Sequence, residues 1–338
     1  MADLYPLLLR PEFQERVWGA RSLAPIYSFE VKANPIGEAW LTWDKCKVAN
    51  GPLAGRCLEE ICKKFGEQLL GEINSPRFPL LIKFLFPHDK LSVQVHPDND
   101  AAMRKGEPCG KTECWYILQA ESGAAVGVGL KPGVTKAEVE RAIHEVKMEQ
   151  LLNWIDVRQG DMIYVDAGTV HAIRPGVVIV ETQQNSDTTY RLYDYGRPRD
   201  LHVQDGLEAM KEQTHAGKVL QGESQLEKGK LQVNLITSPC FIVDKFKLSK
   251  AWEFRRPAHM PRQVWCLVAI GGCGVIQWNG AALLTFSCGE AVVVPASVER
   301  FVITPQWELE FLCASVPAEK TAHPQTTVSE VATGGASI

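Results

Sequence analysis

The order of apolar and polar positions changes several times along this chain, and each change predicts a different element. The first fifty residues alternate short apolar runs with turns such as Asn34-Pro-Ile-Gly37. Over 54–70 the apolar residues Leu58, Ile61, Cys62, Phe65, Leu69 and Leu70 recur at helical spacing, and Gly71 follows as a stop signal. From Phe78 to about Gly129 the pattern predicts strands, followed by a helix over 135–152, further strands to Tyr195 and a short helix over 203–212. A polar stretch at 217–229 then separates a second series of short strands, punctuated by Ala269-Ile-Gly-Gly-Cys-Gly274 and Trp278-Asn-Gly280. The expectation is a mainly β protein in two units, 1–215 and 230–317. Residues 318–338, rich in Thr, Ser, Gly and Ala, read as a disordered tail.

One strand carries more than fold information. In Leu91-Ser-Val-Gln-Val-His-Pro-Asp98, Leu91, Val93 and Val95 take one face while Ser92, Gln94 and His96 take the other. Glu113, in Lys111-Thr-Glu-Cys-Trp-Tyr-Ile-Leu118, and His171, after Gly160-Asp-Met-Ile-Tyr-Val165, arrive from similar strand frames. A single histidine on a strand is more often a packed or surface residue than a ligand. Two imidazoles, a carboxylate and an amide oxygen together form a set suited to zinc, with a position left for water or substrate. Manganese, iron, cobalt and nickel also fit that set.

Lys111 shares the strand face of Glu113, and Lys83 sits in Leu80-Leu-Ile-Lys-Phe-Leu-Phe86, where a solvated ammonium is out of place. Each needs either a carboxylate partner or a part in proton transfer or anion binding. Glu181, Arg191 and Arg197 complete the polar inventory, and a guanidinium fork is suited to phosphate oxygens.

Composition narrows the partners. With 338 residues, 45% hydrophobic and a net charge of −4, the chain can build full cores but has no general attraction for nucleic acid or anionic membrane. No run of 18 apolar residues and no basic leader region is present, so neither a membrane span nor a signal peptide is expected. Ten cysteines without a Cys-x-x-Cys pair point to reduced thiols and a cytoplasmic protein. Glycine-rich loops of the ATP- or NAD-binding types are missing. An internal echo relates Gly160-Asp-Met-Ile-Tyr-Val-Asp-Ala-Gly-Thr-Val-His171 to Gly289-Glu-Ala-Val-Val-Val-Pro-Ala-Ser-Val-Glu299, without the histidine, so the second unit is expected to bind no metal.

Seven motifs agree in order with one family: Arg16-Val-Trp-Gly19, Ile36-Gly-Glu-Ala-Trp40, Phe78-Pro-Leu-Leu-Ile-Lys83, Leu91 to Asp98, Gly110-Lys-Thr-Glu-Cys-Trp115, Gly168-Thr-Val-His-Ala172 and Arg191-Leu-Tyr-Asp-Tyr-Gly-Arg197. Over roughly the first two hundred residues the chain resembles the short bacterial form of the type I mannose-6-phosphate isomerase family. The resemblance implies a mainly β fold of two cupin-like jelly-roll barrels with a small helical element. It also implies one zinc ion per chain on Gln94, His96, Glu113 and His171, and a small-molecule sugar phosphate as substrate, mannose 6-phosphate or fructose 6-phosphate. Lys83, Lys111, Glu181 and Arg191 match catalytic positions, and Ser92 and Arg197 match the phosphate end. Phe86-Pro-His-Asp-Lys90 departs from the smaller, more acidic residues usual before the zinc strand, and the helical insertion of the long forms is missing.

Aldose–ketose interconversion passes through an enediolate and needs a base with cations beside the oxyanion. Glu181 and Lys111 are both candidates for proton transfer, with Arg191 beside the reacting carbons. The alternatives are a cupin isomerase of another sugar phosphate, an oxygenase sharing the barrel, or a non-enzymatic metal- or sugar-binding cupin.

Overall fold

Antiparallel strands dominate the chain, as the alternation predicts. The computed structural model describes residues 4–317, apart from 74, 257–261 and 281, together with residue 328. The tail expected at 318–338 lies, Val328 excepted, outside the described residues. The strands form three sheets. One runs in the order Gly217–Lys218, Met162–Val165, Glu113–Ala120, Val177–Gln184, Leu80–Leu85, Ile36–Trp40 and Glu12–Ala20. A second orders Tyr190–Tyr193, Val93–Val95, His171–Ile173, Ala125–Leu130 and Leu152–Asp156. The third, in the C-terminal half, is built around the long strands Trp265–Trp278 and Arg300–Ser315. The mainly β architecture with few helices is as the sequence predicts, and none of the three sheets closes on itself among the described residues.

The seven-stranded sheet is the central layer, and this explains its unbroken apolar runs. Leu80–Leu85 is buried along its whole length. Leu80, Ile82 and Phe84 join a core with Phe241, Val264, Val268 and Leu312 of the C-terminal half. Leu85 on the opposite face packs with Trp115, Ile117, Val126, Val128 and Ile173, between the seven- and five-stranded sheets. A strand covered on both faces loses the polar alternation of a half-exposed one. Lys83, on the same face as Leu85, therefore points between those two sheets.

The helices are shorter than the spacing predicts. The stretch 54–70 divides into Leu58–Phe65 and Glu67–Leu70 at Gly66, whose φ of +43° ends the first turn series. The stretch 135–152 starts at a Thr135/Glu138 capping box, runs from Lys136 to His144, and resumes only at Met148–Leu151 before Leu152 enters a strand. The third is Val203–Ala209. The expected division at 215–230 also meets an exception. Leu7–Leu9 pairs with Ala291–Val294, so the first strand of the chain belongs to the C-terminal sheet. Bulges bend Trp265–Trp278 around Gly272, where φ is +75° and a Cβ would run into the Glu308 carbonyl oxygen.

Candidate metal centre and cavity

Strand register brings the polar residues together. In the five-stranded sheet Gln94 is flanked by His171 on one side and Arg191 on the other. In the seven-stranded sheet Lys83 stands opposite Glu181, and Glu181 opposite Trp115, two residues from Glu113 on the same face. Directly paired residues share a face, so the two inner faces meet with their polar residues confronted. His96 follows immediately after Val93–Val95 and is fully enclosed, as are His171 and Glu113.

The carboxylate of Glu113 lies between the two imidazoles. His171 Nε2 is 3.3 Å from Oε1 and His96 Nε2 is 3.5 Å from Oε2. Two ligands of one divalent ion with bonds near 2.1 Å stand roughly 3.4 Å apart in a tetrahedral site. The other ring nitrogens fix the tautomers: His96 Nδ1 donates to the Thr188 carbonyl at 2.9 Å and His171 Nδ1 to the Thr169 carbonyl at 2.9 Å. Each Nε2 therefore presents a lone pair toward Glu113, the arrangement by which an outer carbonyl orients a metal-binding histidine. Burial pushes the imidazolium pKa of His171 down to about 4, and burial with the neighbouring Lys111 ammonium pushes that of His96 well below its usual value. Both rings are neutral at physiological pH, as ligation requires. Glu113 Oε2 is buried and makes no hydrogen bond of good geometry, and the Lys111 ammonium 3.2 Å away is paired with it by charge. His96, Glu113 and His171 thus form a candidate metal site, with their donor atoms all within 4.8 Å of one another. The Gln94 amide is 3.1 Å from His171 Nε2, and a half-turn of that amide presents its oxygen to the same point.

Above this floor a cavity of about 370 Å³ opens between the sheets, lined among others by Ser92, Gln94, Lys83, Lys111, Glu113, Glu181 and Arg191. Its charged groups form a chain. Lys111 Nζ contacts His96 Nε2 at 2.9 Å and Glu113 at 3.2 Å, and lies 3.9 Å from Glu181. Lys83 Nζ lies 3.3 Å from Glu181 and 3.5 Å from Glu38, and Glu38 also accepts from Arg16 and the Trp40 indole at 2.7 and 2.8 Å. Burial and the nearby Glu113 carboxylate raise the Glu181 pKa. Burial opposes the charge on Lys83, but Glu181 and Glu38 outweigh it and hold its pKa above the usual lysine value. Burial likewise opposes the Glu38 carboxylate, and Lys83 and Arg16 outweigh it, so its pKa is lowered.

Nine of the ten residues singled out in the sequence meet around this cavity. Arg197 does not. Its guanidinium pairs with Asp89 at 2.7 Å and Asp194 at 3.1 Å and donates to the Lys90 carbonyl, while Arg199 lines the cavity. Arg197, matched by the resemblance to the phosphate end, therefore lies outside the cavity lining. Tyr195 and Gly196 both adopt positive φ, +56° and +78°, so the chain turns between Arg191 and Arg197 and strand phase no longer carries across. Arg16, Trp18, Glu38 and Trp40 also line the cavity and were named in motifs without a role. Only the pairing of Ile36–Trp40 with Leu80–Leu85 reveals that Glu38 and Trp40 stand beside Lys83.

All ten cysteines are free, and no described helix is long and apolar enough to cross a membrane. Residues 7–123 match the family model for the catalytic domain of type I phosphomannose isomerase. The chain is 37% identical over 307 residues to the mannose-6-phosphate isomerase ManA of Bacillus subtilis, covering 88% of this chain and 95% of that protein. It is 36% identical over 268 residues to the mannose-6-phosphate isomerase of Streptococcus mutans, covering 75% of this chain and 82% of that one. A crystal structure of the mannose 6-phosphate isomerase from Bacillus subtilis superposes with a TM-score of 0.83 at 29% identity, covering 92% of this chain and 99% of that one.

Proposed function

The chain belongs to the type I phosphomannose isomerase family, and from that premise we propose that it interconverts mannose 6-phosphate and fructose 6-phosphate. The observation that carries this reading is the floor of the cavity, where Glu113 bridges two neutral histidines beside Lys111 and Glu181. Gln94, His96, Glu113 and His171 are proposed to hold one zinc ion. Nitrogen and oxygen donors with two oriented imidazoles suit that metal. When bound, zinc supplies a Lewis acid for the oxygens of the sugar's reacting end.

The remaining work falls to the chain's own groups. An aldose and its ketose differ by a proton exchanged between C1 and C2, with a second proton moving between the two oxygens. Glu181 is the proposed base at carbon. Its Oε2 is held by Lys83, while its Oε1 lies 3.9 Å from Lys111 Nζ and faces the same cavity. Lys111 is proposed to donate to the oxygen on which charge develops, and Arg191 to stabilise that charge from the opposite sheet. Ser92 extends the polar lining on the strand of Gln94. The partner is a small sugar phosphate, and the C-terminal unit, 230–317, is proposed to carry no metal.

The test is a coupled assay of metal-replete protein with mannose 6-phosphate, glucose 6-phosphate and unphosphorylated mannose in parallel. Turnover is expected only with mannose 6-phosphate. Bound metal without turnover of any of the three would leave a binding protein in place of an isomerase, and preference for glucose 6-phosphate would reassign the sugar.

A further inference from the structure

Three arginines stand near the outer part of the cavity on the segment 191–199, and their surroundings differ. Arg197 is enclosed by acceptors: Asp89, Asp194 and the Lys90 carbonyl take its two terminal nitrogens, and its guanidinium lies 5.5 Å from the Tyr195 ring centre. Nothing in that arrangement faces the cavity. Arg199 is bound on one edge only. Its Nε and Nη2 donate to the two oxygens of Asp194 at 2.6 Å each, and among the described residues Nη1 has no protein partner. Asp194 itself is buried, with a side-chain exposure of 2%, so this fork is anchored by a carboxylate that cannot turn away to solvent.

Arg191 completes the pair. It lines the same cavity, has no carboxylate ion pair among the described residues, and keeps a buried Nε without a hydrogen-bond partner. Among the described residues its side chain makes one hydrogen bond, from Nη1 to the Asp200 carbonyl at 2.8 Å. The two guanidinium groups are close enough that Arg199, after burial, lowers the pKa of Arg191. The cation of Arg199 beside that of Arg191 gives this part of the cavity an attraction for an anionic group, while Arg191 keeps its proposed place at the reacting end. Asp187 shares the lining and opposes that attraction, while Thr189 adds a hydroxyl.

We infer that Arg199, held by Asp194 and acting beside Arg191, is the residue that receives the phosphate of the substrate, and that Arg197 serves only to brace Asp194 and the 89–90 loop. The inference rests on the sugar-phosphate reading above and names a specificity determinant within it. A preoriented fork loses little side-chain freedom on binding, which favours it over a mobile surface lysine. Phosphate contacts of this kind act alike on substrate and transition state, so they set affinity rather than turnover.

The experiment measures binding of inorganic phosphate by calorimetry to the zinc-loaded protein and to its Arg199→Ala, Arg199→Lys and Arg197→Ala variants, with melting curves for each. Steady-state kinetics on mannose 6-phosphate accompany it. Arg199→Ala should weaken phosphate about 10- to 100-fold, the range for a lost hydrogen bond to a charged group. It should raise KM by a similar factor and leave kcat within about threefold. Arg199→Lys should recover part of the affinity, and Arg197→Ala should lose less than Arg199→Ala at equal folded fraction. The proposal is overturned if the unaltered protein fails to bind phosphate, if Arg199→Ala binds it as the unaltered protein does, or if Arg197→Ala loses as much. Phosphate binding through Arg199 in a protein that does not turn over mannose 6-phosphate keeps the subsite and removes the substrate reading instead.

Discussion

The two halves of this protein fill the space between their strands in opposite ways. In the N-terminal half, Lys83, His96, Lys111, Glu113, His171 and Glu181 are all buried between sheets whose flanking positions are Trp115, Ile117, Val126 and Ile179. In the C-terminal half the corresponding interior is Phe246, Leu267, Phe286, Val292, Phe301, Ile303 and Phe311. There Phe246 stacks on Phe311 at 5.2 Å, and Phe286 meets Phe311 edge-on. Both interiors tolerate little change, but for different reasons. Truncating a packed aromatic forfeits contacts and leaves a cavity, at about 3–5 kcal/mol. Removing one partner of a buried ion pair leaves a charge unmatched, at a similar 3–5 kcal/mol. A polar interior gains no stability over an apolar one of equal volume, so the concentration of buried charge in the N-terminal half is what the proposed chemistry there would account for.

His171→Ala breaks that contrast most severely. It removes a ligand and the orientation supplied by Thr169, so bound metal by elemental analysis and turnover should both fall more than about 100-fold, beyond the loss typical of an outer partner. Retention of one metal per chain would show that the three donors are not its site. Glu181→Gln preserves shape and should keep the metal while turnover drops about 10²–10⁴-fold, the range for a general base. If turnover survives, Lys111 is the base. Phe311→Ala sharpens the comparison from the other side. Unfolding free energy should fall by about 3–5 kcal/mol while metal content and turnover of the folded protein stay within about twofold. A tenfold loss of turnover without unfolding would give the C-terminal half a part in the site. Glu299→Gln changes an exposed carboxylate 3.1 Å from Arg262, where the internal echo lacks its histidine. Melting and metal content should move within about 0.5 kcal/mol and not at all, respectively.

The metal floor was legible because strand alternation is strictly local: Gln94 and His96, two residues apart, must share a face in any register. Glu113 and Lys111 obey the same rule. What alternation cannot carry is the partner across the sheet. Glu38 reaches Lys83 only because Ile36–Trp40 pairs with Leu80–Leu85, and nothing in either segment alone specifies that neighbour. Arg199 was hidden for another reason, since two consecutive residues at positive φ, Tyr195 and Gly196, reset the direction of every side chain after them. Helix spacing over 135–152 continued past the true stop because Val146, at φ +60°, is a residue type that gives no warning of a left-handed turn.

Leu7–Leu9 carries a consequence for how the molecule is made. These residues pair with a strand far along the chain, Leu7 with Val293 and Leu9 with Ala291. A pairing so remote in sequence closes a very long loop, so it is expected to form late in folding. The same pairing ties Leu7–Leu9 to the C-terminal sheet, so proteolytic release of residues 1–10 should loosen the C-terminal half rather than the N-terminal one to which they are joined in sequence.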